Sequence, residues 1–171
     1  MASLTLPLEE YKDSYLEALG ELQAEGRQQH LSREELAIHF ASFVQRLRDQ
    51  ADIARIEPGH IPFSEFWLID GNAYLGMLVL RHTLDEDLLQ KGGHIGYVIR
   101  PSSRQQGYGK LILSYGLAKA KARGLERVLL TCDEDNASSR AIIEANGGVL
   151  ENIIQIERWP APVCRYWIQL S

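Results

Sequence analysis

A chain of 171 residues, 45% hydrophobic and 24% charged, has the size and composition of one ordinary globular domain, expected to span residues 1–171, and wholesale disorder is excluded. Its formal net charge of −5 sets the molecule as a whole against polyanions, so nucleic acid is not an expected partner. No apolar run approaches the roughly 20 residues that cross a bilayer, and the first residues lack the basic-then-apolar layout of a signal peptide; a cytoplasmic protein without membrane attachment is expected.

Leu4–Pro7 reads as a short first strand. Tyr11, Tyr15, Leu16, Leu19 and Leu22 then recur at helical steps until Gly26 breaks the pattern. Ser32 with Glu35 has the wording of a capping box, opening a second helix with Leu36, Phe40, Phe43, Val44 and Leu47 on one face. Pro58, Gly59 and Pro62 mark a loop. From Phe63 the period falls to two, and Asp70-Gly71 between two apolar runs predicts a hairpin. A polar connection follows, residues 81–93, with a possible helical turn. Next come a strand over His94–Ile99, a basic turn over Arg100–Lys110 and a helix over Leu111–Ala122 that stops at Gly124. Arg127–Cys132 is a nearly continuous apolar run, as in a strand covered on both faces. Asn136 is placed to cap a helix running to Ala145, and Val149–Ile156 and Val163–Leu170 complete the chain as strands. Cys132 and Cys164 fall inside such runs and read as small buried hydrophobes, not a disulfide framework. The order predicts an α/β fold: a mixed, mostly antiparallel central sheet, one parallel pair across the 94–99 and 127–132 crossover, and helices on both faces.

The chemistry concentrates at Arg100–Lys110. A helix N-terminus leaves backbone N–H groups without intrahelical partners and concentrates partial positive charge. Gly107 and Gly109 let that backbone approach a phosphate, and Arg104 and Lys110 add full charges. A dinucleotide fingerprint would need a third glycine where Ile112 stands, and a Walker loop would need Gly-Lys-Ser/Thr, so a nucleotide cofactor of either kind is disfavoured.

Arg104-Gln105-Gln106-Gly107-Tyr108-Gly109, set between a strand and a helix, resembles the pyrophosphate signature of the GNAT superfamily of N-acetyltransferases; Asn136 and Ser139 match that family's Asn and the Ser or Ala three residues on. Gly93–Tyr97, Arg100–Ser102 and Ile142–Gly148 are similar to a bacterial subgroup of predicted acetyltransferases. The resemblance implies acetyl-CoA as donor and no metal. It further implies pyrophosphate on the N–H groups of Gln105 to Lys110, and a pantetheine arm paired with the main chain of Tyr97, Val98 and Ile99 and bonded to Asn136. Direct attack of an amine on the thioester would follow, with catalysis by orientation, deprotonation and oxyanion stabilisation.

Many relatives carry a tyrosine general acid seven residues after the Asn; that position is Ile143. For the general base, His94 and His82 are the candidates, each with a near-neutral intrinsic pKa. Strand alternation puts His94 with Gly96 and Val98, opposite Ile95 and Tyr97, unless a bulge reverses the parity. Arg81, Arg100 and Arg165 are candidates to select a carboxylate-bearing acceptor. The expected activity is acetyl transfer to an amine of a small molecule. Alternatives are transfer to a peptide or protein amine, and a non-catalytic acyl-CoA-binding module. Monomer and homodimer both remain open.

Overall fold

The computed structural model describes residues 1–171. In chain order it forms β1 (Ser3–Thr5), α1 (Lys12–Ala24), α2 (Arg33–Ile38), α3 (Phe40–Asp49), β2 (Phe63–Asp70), β3 (Ala73–Arg81), α4 (Glu86–Gln90), β4 (Ile95–Ile99), α5 (Tyr108–Ala122), β5 (Arg127–Asp133), α6 (Ala137–Ala145), β6 (Val149–Ile154) and β7 (Val163–Gln169). The fold is mixed α/β, with one antiparallel sheet ordered β1-β2-β3-β4 and a second ordered β5-β7-β6.

Most local signals resolve as the sequence predicts. The hairpin turns at Asp70-Gly71, where Gly71 has φ of 60°, and pairs Phe63 with Arg81 through to Asp70 with Ala73. Ser32 accepts the Glu35 N–H as an N-cap. The single helix expected after it instead bends at His39, where ψ of 31° leaves the helical range. The bonds from His39 N–H to Glu35 O and from Phe43 N–H to His39 O carry the chain through that bend, so Leu36, Phe40, Phe43 and Val44 still share one buried side. The helical turn in the 81–93 connection is α4, capped by the Asp85 carboxylate on Leu88 N–H.

Strand alternation divides the first sheet into two working faces. Leu68, Leu78, Leu80 and Ile95 pack against Ile112, Leu113 and Ala120 of α5 and against Val128, Leu130 and Ile168 of the second sheet. On the opposite face Trp67, 0% exposed, packs under α1 and α3. Its ring stacks on Tyr15 at 4.8 Å and meets Tyr74 edge-on at 5.3 Å. Such pairs contribute about 0.5–1.5 kcal/mol each beyond area burial, so this aromatic group fixes the helices on the sheet.

The expected parallel pairing of the 94–99 and 127–132 strands is corrected. β4 pairs only with β3, and β5 only with β7. The two sheets are joined at one end, where His94 N–H donates to Leu129 O at 2.8 Å and Leu129 N–H donates to His94 Nδ1 at 2.9 Å. That exchange uses a side chain where a ladder would use a carbonyl, so it does not propagate. Beyond it the β4 edge facing β5 has no backbone partner. The approach to this junction needs Gly93, whose φ is 64° and where a Cβ would drive into the Leu129 carbonyl. Gly93→Ala is therefore expected to destabilise the protein by about 2–4 kcal/mol through left-handed strain and the clash, measured as a lower midpoint in urea unfolding; an unchanged midpoint contradicts the junction.

Candidate active site

The loop from β4 to α5 is held against α1 by charge. Arg100 Nε donates to Glu21 at 2.7 Å, and a second arginine nitrogen pairs with Glu17 at 3.3 Å. Glu21 also accepts from Ser102 N–H at 2.9 Å and Ser102 Oγ at 3.0 Å. Burial works against the Glu21 charge, but the bonds from Ser102 and Arg100 outweigh it and hold the carboxyl below its usual range. Anchored so, the chain makes a single 3₁₀ turn at Pro101–Ser103 and reaches Gly107, whose φ of 85° starts α5. The helix thus begins at Tyr108, three residues before the expected Leu111, and the glycine motif lies in its first turn. The N–H groups of this turn open towards solvent without capping side chains.

A groove of about 690 Å³ runs from this helix end to the gap between the sheets. Tyr97, Val98, Ile99, Arg104, Gln105, Gly107, Tyr108, Gly109, Lys110, Asn136 and Ser139 all line it; of the expected binding residues only Gln106 does not. Gly109 allows the close approach of α6, since a Cβ there would lie 2.5 Å from Ile142 Cδ1. Asn136 Oδ1 caps α6 by accepting Ser139 N–H at 3.1 Å, which leaves its amide N–H₂ for a ligand. Tyr97 reaches across the gap, its hydroxyl 3.2 Å from Ser139 Oγ, and burial raises its pKa, keeping it protonated at neutral pH. Ile143 is 1% exposed and part of the core, so no acid stands at that position. Burial pushes the Cys132 thiol up to about 11 and raises Cys164 as well; neither is a reactive thiolate.

The two histidines do not line the groove. His94 Nδ1 is occupied by the Leu129 N–H, so in the neutral ring Nε2 carries the hydrogen and no lone pair is free. Burial lowers its pKa, with Arg127 and Arg81 adding to the effect. His82 Nδ1 lies 2.6 Å from the Arg123 guanidinium. A guanidinium only donates, so the His82 hydrogen sits on Nε2, facing Ser64 Oγ at 2.8 Å. Burial, then Arg123, lowers that pKa too. Each of the two histidines is thus bonded within the fold through its ring nitrogens, His94 to Leu129 and His82 to Arg123 and Ser64. The acceptor-selecting arginines are likewise engaged within the fold: Arg81 with the Gly92 and Gly93 carbonyls, Arg100 with Glu21, and Arg165 with Leu89 O and Glu151.

Matching against family descriptions places residues 17–147 in the "Acetyltransferase (GNAT) family". The chain belongs to the GNAT acetyltransferase family. As a GNAT protein it is an acetyl-CoA-dependent N-acetyltransferase, and the groove, with its free helix-end amides and basic rim, fits an acyl-CoA. No curated protein matches the chain in sequence. Among solved structures it is similar to an acetyltransferase from Salmonella typhimurium that modifies the N-terminal serine of a 50S ribosomal subunit protein, at 20% identity and TM-score 0.68, covering 99% of this chain and 95% of that one. It is also similar to the microcin C7 self-immunity acetyltransferase MccE (13% identity, TM-score 0.70, 98% and 92% covered). A third is a chimera of Vibrio cholerae spermidine N-acetyltransferase SpeG and hSSAT (17% identity, TM-score 0.64, 99% and 95% covered). At these identities the likeness is one of fold.

Sequence reasoning missed Glu25, at the end of α1, on the groove wall. Its carboxylate forks onto the Arg104 guanidinium at 2.7 and 3.0 Å, and these bonds hold Glu25 below its usual range. A phosphate drawn to Arg104 would have to compete with Glu25. Glu25→Gln is expected to tighten CoA binding by about two- to fivefold, the range of an exposed ion pair, as read by isothermal titration at low salt; weaker binding would contradict this competition.

Proposed function

We propose that this GNAT protein transfers the acetyl group of acetyl-CoA to a primary amine of a small molecule, in a ternary complex. The observation that carries the reading is the unpaired edge of β4, which runs from the N-terminus of α5 to the gap between the sheets. Alternate main-chain groups of Tyr97, Val98 and Ile99 on that edge have no strand partner, and a pantetheine amide chain supplies the missing one. The N–H groups of Gln105 to Lys110 hold the pyrophosphate, and the free Asn136 amide bonds the arm. Acetyl-CoA supplies the activated acyl carbon. The chain's own work is to fix that carbon at the gap, to direct a β4 N–H at the carbonyl oxygen, and to exclude water. A leaving thiolate with an ordinary pKa of roughly 8.5 is protonated by solvent, so Ile143 in the tyrosine position does not stop turnover.

Two of the similar structures act on quite different acceptors, an N-terminal serine of a ribosomal protein and spermidine. Both present an amine, which supports the reaction class. The small-molecule reading over the protein one rests on the roof that α1 and α3 place over the first sheet. A non-catalytic acyl-CoA binder is the contrary outcome. The test is free-thiol release from acetyl-CoA with a panel of small amines and short peptides. Release is expected with a small amine, dependent on both protein and amine. Gly107→Asp, which sets a carboxylate at the phosphate turn, should lose it together with CoA-induced thermal stabilisation, about 2.7 kcal/mol at a hundredfold excess over Kd. Stabilisation by CoA with no release from any amine would establish the binder instead.

A further inference from the structure

The cofactor groove lies on the α5–α6 side of β4, the face that carries Tyr97. An amine that attacks at the gap therefore comes from the opposite face. On that face Glu65, Val79 and Gly96 are successive cross-strand partners, from β2 through β3 to β4. A Cβ at Gly96 would meet nothing within 4 Å, so the row opens into free space at its β4 end. At its β2 end stands a carboxyl group that the fold does not use. Glu65 is 7% exposed, yet it makes no salt bridge with any of the seven ion pairs' cations. Its side chain bonds to no other group, and its oxygens are not among the sealed, unpartnered polar atoms, so solvent still reaches them.

The titratable groups next to Glu65 are neutral, and the cations on this side of the sheet are engaged elsewhere, Arg81 with the Gly92 and Gly93 carbonyls and Arg100 with Glu21. Tyr15 from α1 and Tyr74 from β3 both feel its charge, and burial raises both hydroxyls far above neutrality. Phe40 and Phe43 of α3 pack on Tyr15 with no polar atom. Burial pushes the Glu65 carboxyl up to about 7, and the neighbouring Trp67 indole offsets only part of that; the indole N–H falls short of hydrogen-bond geometry and is itself left without a partner. A buried carboxyl without a cation costs stability. Placed at the rim of a site that receives an ammonium, it is a base with its affinity set near neutral pH.

Resting on the N-acetyltransferase reading above, we propose that Glu65 accepts the proton of the acceptor's ammonium, across the Val79–Gly96 row on the face opposite the cofactor groove. The β2 and β4 backbones are two strand spacings apart, about 10 Å. The Glu65 side chain spans part of that distance and a water the remainder, a relay that general-base chemistry tolerates. The ammonium N–H bond breaks and its proton passes to the carboxylate. The freed nitrogen lone pair forms the bond to the acetyl carbon; as the adduct collapses the nitrogen gives up a second proton to solvent, and the C–S pair leaves on the CoA sulfur, which takes a proton from solvent. The aromatic rings around Glu65 suit an amine with an apolar body.

The test follows the Glu65 carboxyl by carbon-13 NMR in the whole protein, its resonance assigned by its absence in Glu65→Gln. The probe is 2-phenylethylamine, with 2-phenylethanol as the uncharged control. Saturating amine is expected to lower the Glu65 titration midpoint by at least one pH unit, and the alcohol to leave it in place. With a turned-over amine, Glu65→Gln is expected to lose the acid limb near pH 7 in kcat/KM and to fall about a hundredfold or more, with KM for acetyl-CoA unchanged. A melt of Glu65→Gln at least as high as wild type above pH 7 confirms that the variant folds. A Glu65 midpoint unmoved by the amine, or a variant that keeps both rate and limb, overturns the proposal. A shifted midpoint without acetyl transfer to any amine would instead leave Glu65 as an ammonium site and remove the transferase reading.

Discussion

Two hydrogen bonds between His94 and Leu129 set the geometry on which the groove depends. Each strand gives one backbone N–H, but only one of the two acceptors is a carbonyl; the other is an imidazole nitrogen. A backbone ladder repeats because every residue brings the same donor and acceptor, whereas an imidazole ends it after one exchange. The sheets are therefore fastened at one point and left unjoined beyond it. The cost of unpaired strand edges inside a protein is one to three kcal/mol per buried group, in order of magnitude. β4 avoids that cost by facing an open groove, which is also where the proposed pantetheine amide chain would find its partners.

The helix that borders the groove is held just as specifically. Leu78 sits against Gly116 and Ile142 against Gly109, so α5 lies close to both the sheet and α6. Arg100 and Ser102 converge on Glu21 of α1, which ties the phosphate turn to the aromatic side of the first sheet. The groove and the aromatic face of the first sheet are thus linked through α1. Its Glu25 contacts the cofactor side, and its Tyr15 packs over Trp67 on the other.

Much of this was legible in the sequence because it rests on local rules. The hairpin at Asp70-Gly71, the Ser32 and Asn136 caps, and the glycine turn into α5 are short-range devices whose residues declare themselves. Family membership was legible for the same reason, since Arg104–Gly109 and Asn136 are compact motifs. The splayed junction was not, because an apolar run followed by a crossover predicts pairing, and nothing in the pattern says that a side chain will take a carbonyl's place. The bonding of His94 and His82 was hidden for the same reason: intrinsic pKa says nothing about which nitrogen a distant Leu129 or Arg123 will occupy. Glu65 carried a readable signal, a charged residue in phase with Phe63, Trp67 and Ile69 on an apolar strand face. Glu25 carried none, since its contact with Arg104 joins residues 79 positions apart.

The central claim is that acetyl-CoA completes the open edge of β4 and sits on the first turn of α5. Amide hydrogen exchange with and without acetyl-CoA measures this directly. New protection is expected at the outward-facing N–H groups of Tyr97 and Ile99 in β4 and at the Gln105–Lys110 amides, with Val98 in the β3–β4 ladder and the β2–β3 ladder unchanged. Saturating acetyl-CoA that leaves these amides exchanging at their free rates, while protecting another surface, would contradict it.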